Sequence, residues 1–400
     1  MGDVLELAKE LIRYPTPNPP GEERDLAEFL AAELRRRGLE AEVLPLGGAG
    51  ARQANVLARL HGRGARAPLV FCGHLDTVPP GEGAWQRDPY TPSVEGDRLY
   101  GLGAADMKGG VAAMIAAATH LAAEQGAGRQ LAGDLLLAFT SGEETASLGA
   151  RSLAESGRLD GASGVVIGEP TANRVGIAEK GGIWMEVVLH GRTAHAALPH
   201  LGLNAVSGLV EVLSELEAAA GGATGGGEAV QALRRALEAP EDPLLGRPTL
   251  TPTRLHGGVA SNVVPDEARA MIDLRTLPGQ SHPAILEALE QLVRQGAVRR
   301  GLRASFVYHG ERAPLAIPAH HPLAVACSAA VEATLGQPAE RCGLTGATDA
   351  SELVPRLNLP FVICGPGELG QAHHPDESVH LPALEAAVEI YVRLARLLLT

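Results

Sequence analysis

Histidines and carboxylates recur in this sequence at one kind of place, directly after a short apolar run. Leu69-Val-Phe-Cys72 leads into Gly73-His74-Leu75-Asp76, and Arg98-Leu-Tyr100 leads into a Gly-rich turn ending at Asp106. Residues 135–139 lead into Ser141-Gly-Glu143-Glu144, and residues 165–167 into Gly168-Glu169. A fifth run, 361–364, continues through Gly365-Pro-Gly to Gln371-Ala-His373-His374. Neutral imidazole with carboxylate oxygen is a donor set that suits Zn²⁺, with Co²⁺ or Mn²⁺ as substitutes. The set holds more carboxylates than one ion needs, which predicts two metals. In the Glu143-Glu144 pair, one carboxylate can bind metal while its neighbour stays free as a general base toward water, an arrangement suited to hydrolysis.

These residues meet only if the runs are strands of one sheet. Short apolar runs separated by helix-like segments, such as 109–124 and 148–156, predict an α/β fold with a mostly parallel sheet flanked by helices. In such a sheet ligands bind beyond the carboxyl ends of the strands, so loops distant in sequence converge there. Segments 3–13 and 22–37 have helical apolar spacing, and the Pro-rich stretch 14–21 between them is a rigid connector. From residue 181 the texture changes to alternating strands (183–189, 268–274) mixed with helical runs (205–220, 283–295), predicting a smaller inserted α+β domain. The expected division is 1–180 plus 297–400 for the catalytic domain and 181–296 for the insertion, with 221–227 as a surface loop.

Composition narrows the partners. The chain has 400 residues, 45% of them hydrophobic, and Gly with Pro make about a fifth, which describes a folded globular protein. Its net charge of −13, with no basic block longer than Arg35-Arg36-Arg37, argues against nucleic acid and anionic membrane surfaces and for a small-molecule substrate. The most apolar segment, 110–123, is shorter than the roughly 18 residues that span a bilayer, so no membrane helix is expected. Four scattered cysteines, Cys72, Cys327, Cys342 and Cys364, are expected to be reduced core thiols, which together with a charged first segment suggests the cytoplasm. Gly101-Leu-Gly103 is no dinucleotide fingerprint, because Asp106 stands where its third glycine belongs and would repel phosphate.

Gly73-His-Leu-Asp-Thr-Val-Pro79, Asp106-Met-Lys-Gly-Gly110, Ser141-Gly-Glu-Glu144, Gly168-Glu-Pro170, Gln371-Ala-His373 and Asn18-Pro-Pro-Gly-Glu22 together resemble a co-catalytic zinc family. That family contains acetylornithine deacetylase, succinyl-diaminopimelate desuccinylase, aminoacylase and glutamate carboxypeptidase. The resemblance runs nearly end to end and implies two zinc ions. His74 and Glu169 would hold one, Glu144 and His373 the other, and Asp106 would bridge them, with His374 the alternative to His373. It also implies that Asp76 orients the His74 ring, that Glu143 moves the proton from water to the leaving amine, and that the peptide bond after Asp106 is cis.

Gly191-Arg-Thr-Ala-His195 resembles the family's dimerisation segment, making His195 an oxyanion donor to the partner subunit of a homodimer. The stretches around Asn262 and Asp273-Leu-Arg275 resemble the family's substrate contacts, and a guanidinium suits a carboxylate because its planar fork donates two parallel bonds. Thr345 and Gly346, ahead of a helix start, could hold the same carboxylate through main-chain N–H groups. Gly101-Leu-Gly103 departs from the family's usual Gly-Arg-Gly, which removes a charge but no ligand. The implied activity is hydrolysis of the amide of an N-acyl amino acid. The alternative is a metallo-dipeptidase or carboxypeptidase; a non-catalytic metal-binding scaffold is disfavoured because both Glu143 and Glu144 are present.

Overall fold

Strands buried on both faces need helices on both sides, and the strands that end at the candidate ligands are of this kind. Gly133–Thr140, Arg66–His74, Gly164–Ile167 and Phe361–Ile363 lie side by side and run parallel, buried over nearly all of their central residues. Further neighbours extend this core to a nine-stranded sheet. Ala54–Leu60 and Glu40–Pro45 lie on one side, and Val175–Glu179, Leu315–Ala316 and Arg341–Leu344 on the other. Helix Lys108–Gly126 is apolar almost all round and is buried along most of its length, packed against helix Leu381–Leu399. Helices Gly2–Ile12 and Arg24–Arg36 occupy the segments where helical spacing was expected.

The computed structural model describes residues 2–48, 50–221 and 225–400. It divides into two compact units. One contains the residues up to Ala178, with Ala316–Gly343 and Thr348–Thr400; the other contains Glu179–Leu315 and Leu344–Ala347. Within the second unit, an antiparallel sheet runs in the order Thr249–Gly257, Glu267–Thr276, Gly181–His190, Arg303–Arg312. Ile183, Met185, Val187 and Leu189 alternate along Gly181–His190 and enter a core with Leu209, Leu233 and Leu292 from helices Ala205–Ala220, Glu228–Leu237 and His282–Arg299. Two of these helices start on side-chain caps: Asn204 Oδ1 accepts from the Ser207 N–H and Ser281 Oγ from the Ala284 N–H. Part of the expected loop 221–227, residues 222–224, lies outside the described residues.

Two expectations change. The expected boundary at residue 297 falls inside helix His282–Arg299, and the chain returns to the first unit only after Leu315. The reason is Arg303–Arg312, an edge strand with a half-polar burial pattern that pairs with Gly181–His190 and carries little apolar signal of its own. Arg98–Tyr100 is not a strand of the large sheet. It pairs with Ser378–His380 and Ser93–Glu95 in a separate three-stranded sheet, so Asp106 reaches the site from outside the parallel layer. Among the described residues no helix is long and apolar enough to cross a membrane.

Asn55 links the large sheet to the Glu143-Glu144 turn. Fully buried, it donates from Nδ2 to the Gly149 carbonyl (2.9 Å) and accepts on Oδ1 from the Ser141 N–H (3.0 Å). Asn55→Ala strands two buried main-chain groups and is expected to cost about 2–4 kcal/mol in urea unfolding of the metal-free protein.

Candidate metal centre

His74 ends strand Arg66–His74 and is buried. Its Nδ1 lies 2.9 Å from the Asp76 main-chain carbonyl, so a neutral ring carries its proton there and turns the Nε2 lone pair inward. Nε2 faces Asp106 Oδ1 at 3.0 Å and Glu169 Oε1 at 3.6 Å. On the other side, His373 Nε2 lies 3.4 Å from Asp106 Oδ2 and 3.2 Å from Glu144 Oε2. One carboxylate, Asp106, thus gives an oxygen to each imidazole, and each imidazole has a second carboxylate of its own. His373, at φ +61, rather than His374, makes these contacts. Donor atoms of His74, Glu143 and Glu169 also lie within 4.8 Å of one another, as do those of His74, Asp106 and Glu144.

The electrostatics are those of a cation site. Burial pushes the Glu143 and Glu169 carboxyls well above their ordinary range, helped by Asp349 and Glu144 in the first case and by Asp106 in the second. Burial also raises Glu144, against the pull of His373. Burial works against the charge on Asp106 too, yet hydrogen bonds from His373 and His74 hold its carboxyl below the usual range. The His74 imidazole is raised despite burial by Asp106 and Glu169, and His373 is raised to about 10 by its hydrogen bonds to Asp106 and Glu144. Protons on two imidazoles occupy the place of positive charge between carboxylates. The same donors, neutral imidazole with carboxylate oxygen, would suit divalent cations.

The sequence pattern over residues 70–397 matches the model for peptidase family M20/M25/M40. The chain belongs to this family. Over 411 residues it is 33% identical to a succinyl-diaminopimelate desuccinylase of Gluconobacter oxydans, covering 98% of this chain and 96% of that protein. Over 357 residues it is 32% identical to an acetylornithine deacetylase of Edwardsiella ictaluri, covering 88% and 85%. Its fold matches an M20 family metallo-carboxypeptidase of Sulfolobus solfataricus with a TM-score of 0.81 at 21% identity, covering 99% of both chains. It also matches a dinuclear metal binding peptidase from the M20 family of Bacillus subtilis, with a TM-score of 0.72 at 19% identity, covering 99% of this chain and 97% of that one. This M20-family chain is a hydrolase acting on carbon–nitrogen bonds.

Asp76 is where the M20 site departs from expectation. Its carboxylate is 3.7 Å from His74 Nδ1, and the ring is held instead by the Asp76 main-chain carbonyl. The carboxylate is occupied elsewhere. Oδ1 accepts from the N–H groups of Gly142 (3.0 Å) and Glu143 (3.1 Å), and Oδ2 from the Glu144 N–H (3.1 Å) and Asn18 Nδ2 (3.0 Å). Gly142, at φ +79, supplies the left-handed residue that turns three consecutive N–H groups toward one carboxylate. Asp76 therefore positions Glu143 and Glu144 and ties them to the Pro-rich connector, whose Asn18 N–H in turn donates to the Thr77 carbonyl.

Glu377 was not among the expected site residues. Buried, it accepts on Oε1 from the Ala105 and Asp106 N–H groups (2.8 and 2.9 Å) and on Oε2 from the Gly103 N–H (3.1 Å). It thus places the loop that carries Asp106. Burial and the Asp106 charge raise its carboxyl to about 7, against the three N–H bonds. Its signal was a carboxylate four residues after His373, beside an apparent loop end. The Asp106–Met107 peptide is cis, as the resemblance implied. Lys108 is buried and donates to the Tyr14 carbonyl (2.7 Å); burial lowers its ammonium to about 7 against Glu377, Asp76 and Glu23, and its visible contact is structural. All four cysteines are buried and unpaired by disulfides.

The remaining expected residues lie in the second unit. His195 and Asn262 come together there, because His195 forms an antiparallel bridge with Val263 and the Ala196 N–H donates to the Asn262 carbonyl. Both are exposed. Arg275 is bound to Asp273 through Nε and Nη2 at 2.8 and 3.0 Å. Thr345 and Gly346 do not stand at a helix start. The helix is Ala350–Leu357, and the Ala350 and Ser351 N–H groups are already taken by the Thr348 hydroxyl and carbonyl.

An imidazolium must lose the proton on its ligating nitrogen before that nitrogen can bind a metal. Zinc added to metal-free protein at pH 7–8 is therefore expected to release protons and to bind more tightly as pH rises toward about 10, where His373 loses its proton unaided. Calorimetric titration in buffers of different ionisation heat measures this, and metal uptake without proton release would show that both imidazoles are already neutral in the metal-free protein. Glu377→Gln is expected to weaken zinc binding about 10–100-fold in a chelator competition while leaving the protein folded.

Proposed function

We propose that this chain is a zinc-dependent deacylase that hydrolyses the amide of N-acyl amino acids, of the succinyl-diaminopimelate desuccinylase and acetylornithine deacetylase kind. The observation that carries the reading is the division of Asp106 between two imidazole–carboxylate pairs, with a further carboxylate, Glu143, beside them. His74, Asp106 and Glu169 would hold one zinc, and Glu144 and His373, with Asp106, the other. When bound, the ions supply the positive charge that makes water a nucleophile at neutral pH and stabilises charge developing on the scissile carbonyl oxygen. Cobalt or manganese can fill the same donors.

Glu143 is the general base. Its main-chain N–H is fixed by Asp76, and burial keeps its carboxyl basic enough to take a proton from the attacking water and pass it to the departing nitrogen. His195 donates to the oxyanion of the partner subunit's substrate in a homodimer. Asn262 and Arg275 contact the substrate, Arg275 taking its carboxylate, with Thr345 and Gly346 contributing main-chain groups. The desuccinylase and deacetylase relatives at about a third identity support the acyl-amino-acid substrate. Similarity along the whole length to a metallo-carboxypeptidase keeps peptide substrates as the second reading, since the same groups cleave either amide. Four buried, unpaired thiols support a reducing compartment, the cytoplasm.

Zinc-loaded protein is expected to cleave members of a panel of N-succinyl- and N-acetyl-amino acids faster than dipeptides, and to stop when metal is chelated. A dipeptide preference would select the second reading. Glu143→Gln is expected to retain both metals and lose about 10²–10⁴-fold in kcat; normal turnover in that variant would remove Glu143 from the mechanism.

A further inference from the structure

Trp184 occupies an unusual seat. It lies on strand Gly181–His190, opposite Asp273 on one neighbouring strand and Gly310 on the other. Its indole folds back along its own strand over Gly182: a Cβ at Gly182 would stand 2.4 Å from the ring, and one at Gly310 only 3.5 Å from it. The two glycines thus floor a trough one indole wide. Gly182 is in turn the strand partner of Arg275, so the ring is brought beside the arginine, whose guanidinium carbon sits 5.0 Å from the ring centroid. The indole Nε1–H donates to Asp273 Oδ2 at 2.8 Å, the same oxygen that accepts from Arg275 Nη2.

Two constraints therefore act on one guanidinium. Asp273 takes the edge formed by Nε and Nη2, and the ring of Trp184 covers its plane. Among the described residues no bond is made by Nη1, so the outer edge, Nη1 with the second hydrogen of Nη2, keeps a complete two-donor fork. A fork of this geometry matches a carboxylate. The two Asp273 bonds fix one edge of the guanidinium but leave its plane able to tilt about that edge, and a stacked indole removes that freedom before substrate arrives.

We propose that Trp184 is a positioning residue that presets Arg275 for a substrate's free carboxylate, and that the Trp184–Asp273–Arg275 cluster makes the enzyme select acids over the corresponding carboxamides. This rests on the assignment of Arg275 to the substrate carboxylate. The cluster raises affinity for one charged group and does not touch the bond that breaks.

Calorimetric binding to zinc-loaded Glu143→Gln protein tests it without turnover, using N-acetyl-, N-succinyl- and glycyl-L-leucine, each beside its carboxamide. At least one acid is expected to bind more tightly than its amide. Adding Trp184→Ala is expected to weaken that acid about three- to tenfold and its amide less than about twofold, with Trp184→Phe recovering most of the loss because the ring face remains. In turning-over protein the same change should raise KM and leave kcat within about twofold. If Arg275→Ala abolishes the preference for the acid and Trp184→Ala leaves it intact, the positioning role is overturned and the Arg275 assignment stands. If no acid is preferred over its amide, or Arg275→Ala keeps the preference, the assignment fails and the proposal with it. Should Trp184→Ala not fold, Trp184→His and Asp273→Asn carry the same comparison, and an unchanged preference in both overturns the proposal.

Discussion

Four carboxylates, Asp106, Glu143, Glu144 and Glu169, lie crowded around two imidazoles at the carboxyl ends of parallel strands. Like charges held this close and this dry repel strongly, so Glu143, Glu144 and Glu169 are pushed toward their protonated forms while Asp106 stays ionised only through its two imidazole partners. The arrangement is tolerable only with positive charge interleaved among them. Much of the first unit follows from that constraint: strands buried on both faces to fix the backbone, and main-chain N–H groups spent on holding carboxylates that are not themselves donors to a metal. Asp76 and Glu377 do this in parallel, one gathering the Glu143-Glu144 turn and the other the Asp106 loop.

The small three-stranded sheet gives this arrangement its economy. Strand Arg98–Tyr100 leads into the Asp106 loop, while its partner Ser378–His380 follows directly on the segment carrying His373 and Glu377. The Gly101 N–H donates to the Glu377 carbonyl. Pairing two short strands therefore sets the separation of Asp106 and His373, which are remote in sequence. Helix Lys108–Gly126, starting two residues after Asp106, anchors the other end of the loop in the core.

The candidate positions were legible from sequence because each follows an apolar run, and a buried parallel strand leaves that signature. The resemblance narrowed them to His74, Glu144, Glu169 and His373, and the structure brings these together with Asp106. The same signature misled at Arg98–Tyr100, where a short apolar run belongs to a peripheral antiparallel sheet. Edge strands such as Arg303–Arg312 were illegible because half of their residues face solvent and break the apolar run, which displaced the expected boundary. Asp76 was recognised as a supporting residue but its partner was not. Spacing shows that a carboxylate lies near a histidine, and only coordinates show that three main-chain N–H groups have already claimed it. Glu377 escaped for the same reason, since its partners are amides that every residue possesses.

The Asp76 anchor makes the Glu143-Glu144 turn unequal in its tolerance to inheritance. Three of the four groups it gathers are backbone amides, present whatever side chain the turn carries, so exchanges at Glu143 or Glu144 can alter chemistry without unmooring the loop. Asp76 is itself a side chain and has no such redundancy: one substitution there releases all three of these bonds at once, leaving the turn to the Asn55 contacts. New chemistry can therefore arise by substitution within the turn while the scaffold stays intact, whereas loss of the anchor removes old and new chemistry together.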